Sequence, residues 1–199
     1  MGGPTRCVLV KCVVMKKFIL SFSLTMAALT AIFAAMYRQS GRQTDLSFAI
    51  VFGIVAYHFC VRLLIVVLFK NFMDNRADWS KRWYQIRHWE KRFYKLIHVK
   101  QWKQKMPIYE PQSFDPAVRT WDEIAQAMCQ AELVHETNVV VSFVPIVFGL
   151  WFGALPIFVM TSLLGAVSDL LFVFIQRYNR PRVIRMMNRY NRRVTVNNE

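Results

Sequence analysis

Four stretches of the chain are apolar for long enough to cross a bilayer, and most of the charge lies between or beyond them. A span needs about 20 residues for roughly 30 Å of hydrocarbon. The first stretch, 18–36, carries no charge. The second, 46–69, is interrupted by His58 and Arg62. The third runs from about 139 to 154 and the fourth from 155 to 175, interrupted by Asp169. These last two share one hydrophobic block, in which Gly153-Ala154-Leu155-Pro156 is the favoured place to turn. Pro156 suits a first helical turn, where its missing N–H costs nothing. Two full spans are favoured over a single bent re-entrant pair. The pattern predicts an all-α integral membrane protein of about four transmembrane helices, with residues 1–199 forming a single membrane domain.

Composition sharpens this picture. The 199 residues are 55% hydrophobic, yet 26 Lys and Arg stand against 12 Asp and Glu, a net charge of +14. Both facts hold together if the charges lie outside the spans. That excludes a disordered chain and disfavours a soluble basic domain. The basic residues gather in the amino-terminal tail (Arg6, Lys11, Lys16, Lys17), in the segment 70–136 and in the tail 176–199. By the positive-inside rule these three regions face the cytoplasm of a cell membrane, so both termini are cytoplasmic. Met15-Lys16-Lys17 before an apolar run also fits a signal peptide, but the run is long and a retained anchor is favoured. The four cysteines are scattered without a CxxC pair, which argues against a disulfide scaffold or zinc ribbon.

Within 70–136, Trp79, Trp83, Ile86, Trp89, Phe93 and Leu96 recur at steps of three or four. That periodicity predicts one face of an amphipathic, aromatic-rich helix over 76–105, lying in the headgroup layer with its cations toward anionic lipid. A nucleic-acid partner is not expected, because the flanking spans tie the segment to a membrane. Pro107 disfavours helical geometry at Met106. Residues 108–118 read as loop and 120–136 as a helix, with Thr120 and Glu123 fitting a capping box.

Three groups of residues could carry chemistry. Inside the spans, Arg62 lies about 10 Å and Asp169 about 9 Å from the cytoplasmic ends at 1.5 Å per residue, which suggests an ion pair. His58 shares a helix face with Arg62. The trio reads as a polar pocket or as a helix–helix clamp. At the entrance of the third span, Glu132 and His135 are three apart and share a face. A carboxylate beside an imidazole fixes one ring nitrogen and leaves the other as a base. A di-iron site would need two such Glu-x-x-His motifs and two further glutamates, so no metal is expected. The last span exits through Gln176-Arg177-Tyr178-Asn179-Arg180-Pro181-Arg182, whose forked donors suit phosphate or carboxylate groups. Pro181 disfavours helical geometry at Arg180.

QRYNRPR after an apolar run, AELVH about forty residues earlier, and WEKRFYKLIHVKQWKQKMP upstream resemble the bacterial glycosyl-4,4'-diaponeurosporenoate acyltransferases. The resemblance covers roughly 79–187. The chain departs from the family pattern at Ala127, where a Glu is usual, and at Asp169-Leu170-Leu171, where an Asn-x-Pro is usual. The resemblance implies a membrane acyltransferase of carotenoid biosynthesis, moving a fatty acyl group onto a sugar hydroxyl of a glycosylated lipid or carotenoid. It implies acyl-CoA or an acyl carrier as donor and no cofactor. On this reading His135 is the base and Glu132 orients it. Arg177, Arg180 and Arg182 hold carrier phosphates or the oxyanion. Gln176, Tyr178, Asn179, Trp102 and Lys103 complete the substrate contacts. The rival readings are a non-catalytic membrane protein that binds lipid or a partner, and a small transport subunit using Arg62, Asp169 and His58. A homo-oligomer is compatible with so few spans.

Overall fold

The computed structural model describes residues 4–106 and 111–197. Every regular element among them is helical. The chain divides into two compact units. One contains residues 1–67 and 137–168, the other 68–136 and 169–199. Four helical stretches are long and apolar enough to cross a membrane: Lys17–Ser40, Gln43–Met73, Trp121–Phe152 and Leu155–Val196.

In the first unit, α1 (Pro4–Ser40) meets α2 (Gln43–Met73) through Gly41, whose φ of 67° is the left-handed geometry that ends a helix. Ser40 Oγ donates to Asp45 Oδ2 at 2.7 Å, and Asp45 sits in the first turn of α2, where a carboxylate complements the helix dipole. Phe22 packs on Phe59, and Phe33 on Phe52. Gly53 lets α2 approach Thr30, whose Cγ2 would lie 3.3 Å from an added Cβ.

The third apolar stretch consists of α5 (Trp121–Val141) and α6 (Pro145–Phe152). The sequence predicts a helix over 120–136 and a separate span from about 139, but nothing between them breaks a helix, and α5 runs through. Its ladder stops at Val141 because the residue four further on is Pro145, which has no N–H to give. The Val141 carbonyl instead accepts from the Val144 N–H at 3.1 Å and from the Tyr57 hydroxyl at 3.0 Å. The thiols of Cys60 and Cys129 are free. The predicted turn holds: Gly153 is left-handed (φ 70°) and α7 starts at Leu155. However, α7 (Leu155–Asn197) continues through Pro181, where the sequence predicts a break. A proline inside a helix costs about 3 kcal/mol. Buried ion pairs made by Arg177 and Arg180, both in the turn just before it, offset that cost.

The predicted continuous helix over 76–105 is broken into short pieces in the second unit. A 3₁₀ turn spans Arg82–Tyr84, α3 spans His88–Leu96, α4 spans Val99–Trp102, and a second 3₁₀ turn spans Lys103–Lys105. His98 separates α3 from α4 in a left-handed conformation (φ 51°). Met106 is extended (φ −78°, ψ 137°), as a residue before proline should be. Pro107 and 108–110 of the expected loop lie outside the described residues, and Pro111–Phe114 form a further 3₁₀ turn. The capping box of α5 is present: Glu123 N–H donates to Thr120 Oγ1 (3.2 Å) and Thr120 N–H to Glu123 Oε2 (2.8 Å). Ala77, Tyr84 and Cys129 form a small core, flanked by Met73, Trp79 and Leu133.

Candidate functional site

The second unit is organised around one carboxylate. Glu132, on α5, is completely buried, and each of its oxygens accepts from a different arginine of α7. Arg177 Nη1 donates to Oε1 at 2.6 Å, and Arg180 Nη1 donates to Oε2. Arg177 Nη2 also donates to Glu90 Oε1 on α3 at 2.8 Å. Two guanidiniums and two carboxylates therefore cancel in charge, as buried ions must. The forks reach further. Arg177 donates to the carbonyls of Trp83 (3.0 Å) and Gln85 (3.4 Å), and Arg180 to that of Tyr84 (2.6 Å). Arg180 is 1% exposed and also touches Cys129 Sγ. Thus α7 fixes three consecutive carbonyls of the 83–85 turn. These arginines, expected to hold substrate phosphates, have their guanidiniums committed to protein partners. The motif spacing puts both on the face of α7 that meets Glu132.

Burial pushes the phenols of Tyr84 and Tyr94 up to about 12, with neighbouring carboxylates adding to the effect. Both phenols stay protonated and serve the network as neutral groups.

His135 has a different carboxylate from the one its spacing suggests. Its Nδ1 lies 2.9 Å from Asp169 Oδ1 on α7, while Glu132 is taken by the arginines. The imidazole is stacked on Phe172 (4.7 Å between centroids, 10° between planes) and its side chain is 23% exposed. Nε2 has no hydrogen-bond partner among the described residues. A partly exposed ring held at Nδ1 by a carboxylate, with Nε2 not engaged by another described residue, has the arrangement of a general base.

The remaining predicted residues form two other groups. On the second unit, Lys103 Nζ donates to Asn179 Oδ1, and both Lys103 and Arg182 sit over the Tyr178 ring (5.1 and 4.5 Å). Arg182 Nη2 donates to the Tyr178 hydroxyl at 2.7 Å. Burial, together with the nearby charges of Arg182 and Lys100, holds the Lys103 ammonium below the usual lysine range. Three cations thus gather where an anionic ligand would relieve their repulsion. Trp102 supports this corner by donating its indole N–H to the Ile97 carbonyl (2.9 Å), and Gln176 is half-buried on α7. In the first unit, Arg62 Nη1 donates to the His58 carbonyl (2.7 Å) and lies 3.3 Å from His58 Nδ1. Arg62 Nη2 donates to Ser142 Oγ at 3.2 Å. Gly165 makes room for this group: an added Cβ would lie 3.0 Å from Arg62 Nη2. In the second unit, Asp169 meets His135.

Sequence reasoning missed Glu90 and the 83–85 carbonyls. Glu90 had a signal, being the one acidic residue between Asp78 and Glu110 in a strongly basic stretch. The carbonyls had none, because any residue supplies a carbonyl.

The geometry is that of a helical chain with membrane-length apolar helices and a histidine–carboxylate pair beside a rigid ionic scaffold. Residues 80–189 match the family described as glycosyl-4,4'-diaponeurosporenoate acyltransferase, CrtO, and the chain belongs to that family. The matched stretch includes Glu90, Glu132, His135, Asp169, Arg177 and Arg180. No curated protein and no solved structure matches the chain.

Proposed function

We propose that the protein is a membrane acyltransferase that moves a fatty acyl group from a thioester donor to a sugar hydroxyl of a glycosylated lipid, with a glycosylated carotenoid as the acceptor class. The observation that carries this reading is the His135–Asp169 pair, 2.9 Å apart with Nε2 open. His135 Nε2 takes the hydroxyl proton as the sugar oxygen attacks the thioester carbonyl. A C–O bond forms, the C–S bond breaks, and the leaving thiolate recovers the proton from the imidazolium. Asp169 is the positioning residue that holds the ring. Lys103, Arg182 and Lys100 take the phosphates of an acyl-CoA or acyl carrier, with Tyr178 and Asn179 fixing Lys103 and Arg182. Glu132, Arg177 and Arg180 keep the frame rigid rather than touching substrate. The basic segment 70–136 and both termini face the cytoplasm, where such donors are made, and the acyl chain reaches the site from the bilayer of the cell membrane.

The test uses membranes containing the full-length protein, supplied with acyl-CoA and a glycosylated lipid. His135→Ala should lower kcat by about 10²- to 10⁴-fold, the usual contribution of a general base. Asp169→Asn should lower kcat with KM little changed. Full activity in His135→Ala would refute the assignment of the base, and absence of transfer by the wild type would favour a non-catalytic lipid-binding protein.

A further inference from the structure

A cavity of about 400 Å³ opens in the second unit between α3, α5 and α7. That is at the small end of the ~300–1,000 Å³ typical of small-molecule sites. Its apolar walls are Trp83, Trp89, Phe93 and Phe174, and its polar edge is Glu136 and Arg87. Trp83 and Trp89 are 62% and 60% exposed. Trp83 is set in place twice, by the hold of Arg177 on its carbonyl and by its indole N–H, which donates to Glu136 Oε2 at 3.0 Å. Among the described residues the other oxygen of Glu136 has no hydrogen-bond donor.

We propose that this cavity seats the sugar ring of the acceptor, a neutral pyranoside, a reading that rests on the acyl-transfer function above. A pyranoside presents apolar C–H faces and a rim of hydroxyls. The electron-rich faces of indoles attract the polarised C–H groups. The open Glu136 oxygen accepts from a hydroxyl, and the Arg87 guanidinium donates to one. An alkyl chain would strip water from Glu136 and Arg87 and return no hydrogen bond. A phosphate would meet the Glu136 carboxylate, while Arg177 is already neutralised by Glu132 and Glu90. Location supports the same occupant. Glu136, on the polar edge of the cavity, directly follows His135 on α5. A sugar held here sits in the same unit as the His135–Asp169 pair, one residue along α5 from His135.

The test is saturation-transfer NMR with octyl glucoside, below its micelle-forming concentration, on the full-length protein in phosphatidylcholine nanodiscs, with 1-octanol as control. The sugar C–H signals of wild type should fall at least about tenfold in Trp89→Ala and in Glu136→Gln, and persist in Trp89→Phe and His135→Ala. Melting curves of the same samples verify folding, and exposed Trp89 can be removed without opening the core. In kinetics, Trp89→Ala should raise the KM for the glycosylated lipid about tenfold and leave the KM for acyl-CoA unchanged. Unaltered sugar signals in both Trp89→Ala and Glu136→Gln, with or without weaker membrane attachment, would overturn the sugar site and leave the indoles as interfacial anchors. The two readings fail separately. An inactive His135→Ala with unaltered sugar signals removes this site alone. A fully active His135→Ala with lost sugar signals in Trp89→Ala removes the catalytic assignment alone.

Discussion

Replacing Glu132 by Gln keeps its shape and removes the charge on which two buried guanidiniums depend. Arg180 is the more vulnerable of the two. It is 1% exposed, and its remaining partners, the Tyr84 carbonyl and Cys129 Sγ, are neutral. Arg177 keeps Glu90. One uncompensated charge therefore stays in the interior. Breaking a buried pair by removing one partner costs about 3–5 kcal/mol. At about 2–4 °C per kcal/mol for a chain of this size, the melting temperature should fall by roughly 10 °C. The assay is thermal unfolding of the detergent-solubilised full-length protein, followed by tryptophan fluorescence. Trp79 and Trp83 lie in the affected unit and will report it. Glu132→Leu combined with Arg180→Leu provides the control. It removes both charges, leaves Arg177 with Glu90, and should melt above Glu132→Gln, because apolar replacement of a whole buried pair is often neutral. If Glu132→Gln melts within about 2 °C of wild type yet is inactive, Glu132 acts on substrate and the scaffold argument is wrong.

Gly149→Ala should cost more than Gly165→Ala, within the range of about 1–3 kcal/mol for overpacking, as read by the same melts. An added Cβ at 149 lies 3.2 Å from Phe158 Cβ, which is fixed to its backbone, whereas at 165 the nearest atom is Arg62 Nη2, the end of a flexible side chain. Thr120→Ala removes the N-cap of α5 and should cost about 1 kcal/mol in a denaturant titration. Lys103→Gln should raise the KM for acyl-CoA by about tenfold, one lost charge-assisted contact being worth about 1.4 kcal/mol or more. It should leave the KM for a short thioester without phosphates unchanged. Because the Lys103 charge is disfavoured by burial, Arg182 and Lys100, it loses its proton at a lower pH than an ordinary lysine. Affinity for acyl-CoA should therefore decline with rising pH before the usual lysine range is reached, and Lys103→Gln should flatten that limb.

Much of the fold was legible because it depends on local rules. Hydropathy located the apolar stretches, since a bilayer-length helix needs a continuous apolar run whatever it packs against. The turn at Gly153, the capping box at Thr120 and the extended Met106 follow from backbone sterics and capping chemistry within a few residues. The helix over 76–105 failed for the complementary reason. Its periodicity was real, but Arg177 and Arg180 draw the 83–85 carbonyls out of any helical ladder, and those arginines lie more than ninety residues away in sequence. Pro181 failed in the same way, as tertiary ion pairs outweighed a local preference.

The sequence by itself determined that the apolar helices exist, where the Gly153 turn and the Thr120 cap fall, and which ionisable residues need partners. It also carried the family, through motifs whose order and spacing survive without coordinates. Only the tertiary structure decided the partnerships. Spacing shows that Glu132 and His135 share a face of α5, but not what that face meets. In the second unit α7 runs antiparallel to α5. It brings Arg177 and Arg180 to the level of Glu132, and Asp169 to the level of His135. The nearer carboxylate in sequence became scaffold, and one thirty-four residues away became the partner of the histidine. Two buried guanidiniums compete for Glu132 more strongly than one partly exposed imidazole can.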